Sequence, residues 1–188
     1  MPLFGPSIPD FDRHEWPHWK DLDGDGQNAR EECLIKDSLV DVTFDDNGKV
    51  EKGLWLCLYT GRIHDTPKKI DIDHIISLGE AHRMGGHAWD TEKKKQFAND
   101  PENLLAVWNS SNRSKSDRDS FEGMPPNLSN WGIYMKLRGD IVEKYGLERT
   151  AAELRAIKFY KNRWRKHRLW VKMGAVRTFL PRWVPGTF

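Results

Sequence analysis

The 188-residue sequence lacks the features that mark membrane and secreted proteins. It has no run of about 18 apolar residues, so we expect no membrane-spanning segment and no membrane partner. Its start, MPLFGPSIPD, has neither the basic end nor the apolar stretch of a signal peptide, which predicts an intracellular, cytoplasmic protein. It has only two cysteines, Cys33 and Cys57, and without a secretory signal these are typical of reduced thiols.

Acidic residues are almost absent from the end of the chain. Residues 149–188 hold 11 Lys/Arg and 1 Asp/Glu, which is Glu153, whereas residues 1–72 hold 9 Lys/Arg and 15 Asp/Glu. The whole chain has a net charge of +2, so the two signs are separated along it. A basic end on a balanced chain indicates a polyanionic partner, with nucleic acid favoured over an anionic membrane.

The hydrophobic pattern predicts an α+β fold. An Asn47-Gly48 pair predicts a hairpin with a two-residue turn, in which both residues need positive φ. We expect residues 1–150 to form one domain with an acidic loop near its start, and residues 151–188 to be a basic helix and tail that packs on this domain or extends from it. The other expected elements are helices over residues 29–39, 80–97, 131–145 and 151–172, a helix beginning near Ser111, and strands over residues 70–76 and 103–108.

Polar residues interrupt the predicted strand in KKIDIDHIISLGEAH. Carboxylates are costly to bury unless they are paired, hydrogen-bonded or bound to a metal. Further along the chain, Asn103 opens the second strand and the segment NRSK, residues 112–115, opens a helix. A hairpin capped by a helix could bring these polar groups together, whereas the structural alternative is an Asp-His ion pair with Asn caps.

Phosphodiester hydrolysis at one metal ion uses groups of this kind. Asp73 and the amide oxygen of Asn112 are hard ligands that suit Mg²⁺ or Mn²⁺. His74, with an ordinary pKa of about 6.5, can take a proton from the attacking water at neutral pH. On a regular strand Asp73 and His74 point to opposite faces, so one site requires the strand to twist or end there. Asp71 shares the face of Asp73, so it is either a group that supports the metal ligands or a simple solvent-facing residue, and we favour the latter.

Three motifs, DIDHII, DPENLLAV and NRSKSD, follow one another in this order. With them, the sequence resembles the HNH (His-Me finger) nucleases, in the branch where the last His is Asn. Over roughly residues 10–150 it is similar to proteins resembling the C-terminal nuclease domain of the GmrSD restriction enzyme. The resemblance implies a ββα-metal core with additional helices and an N-terminal hairpin. Ser77 stands where these proteins usually have Pro, and Ser116 where many have Gly.

The resemblance also implies roles for individual residues. In the catalytic set, His74 is the general base and Asn103 braces the hairpin loop. The remaining implied roles are metal ligation by Asp73 and Asn112, a phosphate-facing position for Lys115, and nucleic-acid contact by Arg113.

The resulting prediction is a Mg²⁺- or Mn²⁺-dependent endonuclease that nicks or cleaves DNA and needs no small-molecule cofactor. The alternative is a noncatalytic DNA-binding or packaging-accessory protein that uses the basic helix. RNA as a substrate and the oligomeric state are left open.

The segment DLDGDGQNAREE matches the calcium-loop pattern. Against calcium binding, Asn28 stands where an aliphatic residue is usual, and there is no second loop to pair with it. An acidic surface loop whose Asp side chains cap the next helix therefore stays open as the alternative to a Ca²⁺ site. The candidate calcium ligands are Asp21, Asp23, Asp25 and Glu32.

Cations recur at helical spacing in the last predicted helix. They share one face, and an apolar and aromatic stripe, which includes Tyr160 and Trp164, lies one residue earlier. This pattern predicts a helix docked on the core whose basic back can contact a phosphate backbone. The candidate nucleic-acid-binding residues of this stripe are Lys158, Lys161, Arg165, Arg168 and Lys172.

Overall fold

The computed structural model describes residues 7–115, 124–149 and 151–172, apart from the side chains of residues 115, 152 and 167–172. Within these ranges the chain combines helices with short strands, so the predicted α+β class is confirmed. The strands are β1 (Thr43–Phe44), β2 (Val50–Lys52), β3 (Trp55–Cys57), β4 (Arg62–His64), β5 (Ile70–His74) and β6 (Leu104–Trp108). The helices are α1 (Ala29–Asp37), α2 (Leu78–Arg83), α3 (Thr91–Asn99), α4 (Asn109–Lys115), α5 (Trp131–Tyr145) and α6 (Ala151–Lys172).

A hairpin followed by a helix lies at the centre of the fold. The described strands pair as three antiparallel two-stranded sheets, β1 with β2, β3 with β4, and β5 with β6. Strands β5 and β6 pair without interruption from Ile70, opposite Trp108, to His74, opposite Leu104. Helix α4 begins at Asn109, directly after β6, and packs against both strands. The chain therefore contains a ββα unit.

The two faces of the β5–β6 hairpin pack against different layers. Ile72 and Leu104 belong to a buried cluster that includes Leu34 of α1. Val107, on the opposite face, packs in a second cluster with Tyr134 of α5. Both cysteines are buried free thiols. The hairpin is thus held between α1 and α5, and this fixes which side chains each face presents.

The first hairpin is present, but the prediction that a two-residue turn joins its strands is wrong. Gly48 has the expected positive φ, 74°, but Asn47 does not. In the part of the chain that the structure describes, Trp19 is the one non-glycine residue with positive φ. The Gly48 N–H donates to the Asp45 carbonyl at 3.0 Å, and the strand register shifts beside Phe44. The Asp45 carboxylate also accepts the N–H groups of Asn47 and Lys49, both at 2.9 Å. These bonds favour a longer turn with a bulge over a two-residue turn.

Two predicted elements are shorter than expected. The helical stretch expected over residues 80–97 is divided, because the chain turns at Gly85, whose φ is 104°, and Asp90 caps a new helix by accepting the Lys93 N–H at 2.7 Å. The strand expected to reach Ile76 ends at His74, because the next two peptides bond to Asn103 rather than to a neighbouring strand.

Helix α6 spans the predicted residues and packs on α5. The Tyr160 ring meets the Trp131 ring edge-on at 4.8 Å, and the Trp164 indole lies against Gly132. On the outer side, Lys158, Lys161 and Arg165 are exposed. None of the helices in the described ranges is long and apolar enough to cross a membrane.

Candidate active site

Asp73 is held by a neutral hydrogen-bond donor. Its half-buried carboxylate accepts the hydroxyl of Tyr59 at Oδ2. Burial, and then the neighbouring Asp73 carboxylate, raise the pKa of the Tyr59 hydroxyl well above its usual range. Tyr59 therefore stays protonated and orients the carboxylate without neutralising it.

The predicted metal ligand Asn112 lies beside Asp71. Its Nδ2 donates to Asp71 Oδ2 at 3.3 Å, and both side chains are half-buried. Of the two alternatives for Asp71, the favoured one, a residue that simply faces solvent, is wrong, and the hydrogen bond to Asn112 fits the other, a group that supports a predicted ligand. Because Nδ2 donates a hydrogen bond to Asp71, Oδ1 is the atom of Asn112 that can bind a metal.

His74 is oriented by a carbonyl of α3. Its buried Nε2 lies 2.8 Å from the Ala98 carbonyl oxygen. A carbonyl accepts only, so Nε2 carries the proton and the neutral ring has its lone pair on Nδ1. The Trp19 ring lies 5.8 Å away at an interplanar angle of 36°. Trp19 holds this position with φ of 57°, which is uncommon for a large side chain.

Asp73 and His74 make these contacts on opposite faces of the hairpin. Strand β5 keeps regular pairing up to its last residue, so its side chains alternate. Asp73 contacts Tyr59 on one side, and His74 contacts Trp19 and Ala98 on the other. A substrate can therefore reach both side chains only at the end of the strand, where the two faces meet.

Asn103 lies at the centre of the turn that follows His74. Its side chain is fully buried, accepts the Ile76 N–H at Oδ1 at 3.0 Å and donates from Nδ2 to the Ile76 carbonyl at 3.2 Å. Ser77, which stands where related proteins usually have Pro, begins α2 by accepting the Glu80 N–H at 3.2 Å. A cap therefore replaces the rigid ring at this position.

The predicted nucleic-acid contacts are described only in part. Arg113 is exposed on α4, which ends at Lys115. On α6, the side chains of Lys158, Lys161 and Arg165 are exposed. The side chains of Lys115, Arg168 and Lys172, and the whole of Ser116, lie outside the described residues.

The burial of an arginine near this turn was not predicted from the sequence. Arg138 of α5 is only 4% exposed and binds both oxygens of Glu80, at 3.1 and 2.7 Å. No local signal marks Arg138, since a single Arg in a helix usually faces solvent.

The acidic loop before α1 is folded around its own carboxylates. Ligand atoms of Asp21, Asp23 and Asp25 lie within 4.8 Å of one another. Bonds from the Gly24 and Gly26 N–H groups lower the pKa of Asp21.

The charge on Glu32 is disfavoured beside this loop. Burial, and then repulsion from the loop carboxylates, raise its pKa. Asn28, and not a loop Asp, caps α1. Calcium binding at this loop stays a prediction.

The described residues form an α+β protein with a ββα unit, and comparison with known sequences identifies its family. The model of the GmrSD restriction endonuclease C-terminal domain matches residues 30–158, more than half of the chain. The chain therefore belongs to the family of GmrSD restriction endonuclease C-terminal domains. An uncharacterized secreted protein of Arthroderma benhamiae is 32% identical over 149 residues, which cover 78% of this chain and 72% of that relative. No solved structure gives a significant match.

The expected intracellular location is contradicted by this relative. It aligns with most of the chain and is named as a secreted protein. Our prediction rested only on the composition of the first residues, so it does not stand against a similarity of this extent.

Proposed function

We propose that the protein is a metal-dependent HNH endonuclease that hydrolyses phosphodiester bonds in DNA. The observation that carries this proposal is the ββα unit, in which Asp71, Asp73 and Asn112 share one face and His74 ends the same strand. Membership of a restriction endonuclease family supports nuclease chemistry and DNA as the substrate.

The donor set on this face suits Mg²⁺ or Mn²⁺. Asp73 and Asn112 would hold the ion through carboxylate and amide oxygens, which are the ligands these hard cations prefer. Asp71 orients Asn112 and Tyr59 orients Asp73, as outer partners of metal ligands do. When bound, the ion would stabilise the negative charge that grows on the phosphate and the leaving oxygen.

His74 would act as the general base. Its Nε2–H bond to Ala98 fixes the tautomer, so Nδ1 is the nitrogen that takes a proton from the attacking water. Because Asp73 lies on the other face, the proposal requires the phosphate and the water to approach at the end of β5. Asn103 braces the turn at that point.

Basic residues would hold the substrate backbone. Lys115 and Arg113 follow the proposed ligand Asn112 on α4 and would contact phosphates near the reacting bond. The exposed cations of α6 would add affinity that does not depend on sequence and weakens steeply with salt.

A plasmid-cleavage assay tests the proposed activity. Supercoiled DNA is incubated with the protein and Mg²⁺ or Mn²⁺, and with the His74→Ala and Asp73→Ala variants. We expect each variant to lose a factor of roughly 10² to 10⁴ in rate. The exposed His14 provides a matched control, since His14→Ala should cut like the wild type. Cutting that is unchanged in both site variants would reject the assignment, and a parallel RNA substrate shows which nucleic acid is preferred.

The second candidate is a noncatalytic DNA-binding protein. It is favoured by the placement of Asp73 and His74 on opposite faces and by the exposed cations of α6. This candidate predicts DNA binding without cutting by the wild type in either metal, and binding that His74→Ala leaves intact.

A further inference from the structure

The turn behind His74 is formed by Ile75 and Ile76, and the N–H and carbonyl groups of both residues are hydrogen-bonded. The Ile75 N–H donates to the Asn103 carbonyl at 2.8 Å. The Ile75 carbonyl accepts the Tyr134 hydroxyl at 3.2 Å and Arg138 Nη1 at 3.0 Å. Both backbone groups of Ile76 bond to the Asn103 side chain. Asn103 of the hairpin thus holds three of these backbone groups, and α5 holds the fourth, the Ile75 carbonyl.

Arg138 joins this turn to two further elements. One arm reaches the Ile75 carbonyl and Glu80 of α2, and the other reaches Glu80 again and Glu153 of α6, at 3.4 Å. The side chains of all three charged residues are only 5 to 6% exposed. Burial opposes the charge on Arg138, but its neighbours Glu80, Tyr134 and Glu153 together outweigh burial and raise the pKa of the guanidinium. The arginine is therefore a permanent charged link at this point.

We propose that Arg138, together with Tyr134, is a positioning residue that fixes the turn behind His74 and ties the basic helix α6 to it. This inference rests on the proposed function, in which His74 is the general base. A guanidinium has a planar fork of five donors, so it can hold a carbonyl and two carboxylates in one fixed geometry. Neither Lys nor a neutral residue can replace that fork.

The expected consequence is kinetic. If the Ile75 carbonyl loses its donors, the Ile75–Ile76 peptide can rotate, so the backbone directly after His74 is held less tightly and the imidazole moves relative to the phosphate. A displacement of about 1 Å of a reacting group can cost about 10²-fold in rate. Binding of the substrate should change little where the link from Arg138 to α6 is kept, as it is in a variant of Tyr134.

Two substitutions test the link, and a third provides the control. Tyr134→Phe removes one hydroxyl that bonds to Ile75 and keeps the ring, and Arg138→Lys keeps the charge and removes the fork. Tyr145→Phe removes a hydroxyl from the same helix, but this one bonds to Asp100 at 2.9 Å. We expect the first two variants to lower kcat by roughly 10- to 100-fold, with KM within about twofold in Tyr134→Phe, and Tyr145→Phe to match the wild type.

A spectroscopic readout separates this inference from the proposed activity. The chemical shifts of the His74 imidazole are measured by NMR in the wild type and the three variants. We expect the His74 signals to shift in Tyr134→Phe and Arg138→Lys but not in Tyr145→Phe. If the wild type cuts no nucleic acid, the proposed function fails, while the His74 signals still decide the positioning role.

The inference is overturned if Tyr134→Phe leaves both kcat and the His74 signals unchanged. It is also overturned if Tyr145→Phe changes them equally, because the effect would then be a general loss of stability. If Arg138→Lys does not fold, Tyr134→Phe decides alone.

Discussion

The amide of Asn112 donates a hydrogen bond to Asp71, two residues before Asp73 on the same face of β5. An Asn side chain has one donor end and one acceptor end, and only the acceptor can bind a metal. Asp71 therefore holds the donor end of Asn112 and leaves its acceptor end for a metal. A residue whose role the sequence left open thus orients a proposed ligand.

Loss of the Asp71 carboxylate should weaken metal binding. In Asp71→Ala the amide of Asn112 has no acceptor and can turn over, so we expect Mn²⁺ affinity to fall by roughly 10- to 100-fold, as for other partners of metal ligands. Asp71→Asn keeps an acceptor oxygen of the same shape and should lose less. Calorimetric titration with Mn²⁺ measures both variants, and equal affinity in Asp71→Ala and the wild type would remove Asp71 from the site.

Two glycines of α5 should respond in opposite ways to substitution by alanine. A Cβ at Gly132 would lie 2.2 Å from the Trp164 ring, whereas a Cβ at Gly139 would meet only Arg149, at 3.8 Å. Gly132→Ala should therefore push Trp164 and α6 away and destabilise the protein by about 1–3 kcal/mol. Gly139→Ala should be neutral or stabilising by up to about 1 kcal/mol, because Ala favours the helix. Urea unfolding with Trp fluorescence measures both, and equal changes would contradict the packing of α6 on Gly132.

The cations of α6 should set the salt dependence of DNA binding. In the Lys158→Gln/Lys161→Gln double variant, the slope of log affinity against log salt should fall in magnitude by about 2, since each phosphate contact contributes about 0.9. Lys49→Gln/Lys52→Gln removes two exposed lysines from the first hairpin and provides the control. If both double variants keep the slope of the wild type, the stripe does not contact the phosphate backbone.

The Asp45 turn should make part of the stability depend on pH. Bonds from the Lys49 and Asn47 N–H groups lower the pKa of Asp45 below its usual value of 3.8. A lowered pKa means that the charged form stabilises the fold, so the contribution is present above that value and is lost as the pH falls through the folded-state pKa. Asp45→Ala should therefore be less stable than the wild type at neutral pH, and the difference should narrow at acidic pH. Thermal unfolding at several pH values measures this, with Asp46→Ala as the control; a difference that does not vary with pH would contradict the role of the charge.

The sequence was most informative where local signals act alone. Helix α5 has the predicted bounds because an apolar period runs to Tyr145 and Gly146 then adopts φ of 65°, which ends the helix. The strand Leu104–Trp108 also follows from its apolar run. The turn at Asn47 was predicted wrongly, because its shape depends on which N–H groups Asp45 accepts, and the dipeptide alone does not reveal this.

The sequence by itself determined which residues could carry the chemistry, since the order and type of Asp73, His74 and Asn112 are properties of the chain. Only the tertiary structure decided how they meet. The packing of α4 on β5 brought Asn112 to Asp71, and regular pairing to the end of β5 placed His74 on the opposite face. The buried charge of Arg138 depends on carboxylates 58 residues before it and 15 residues after it. Contacts of this range arise from packing and leave no periodic or local trace in the sequence.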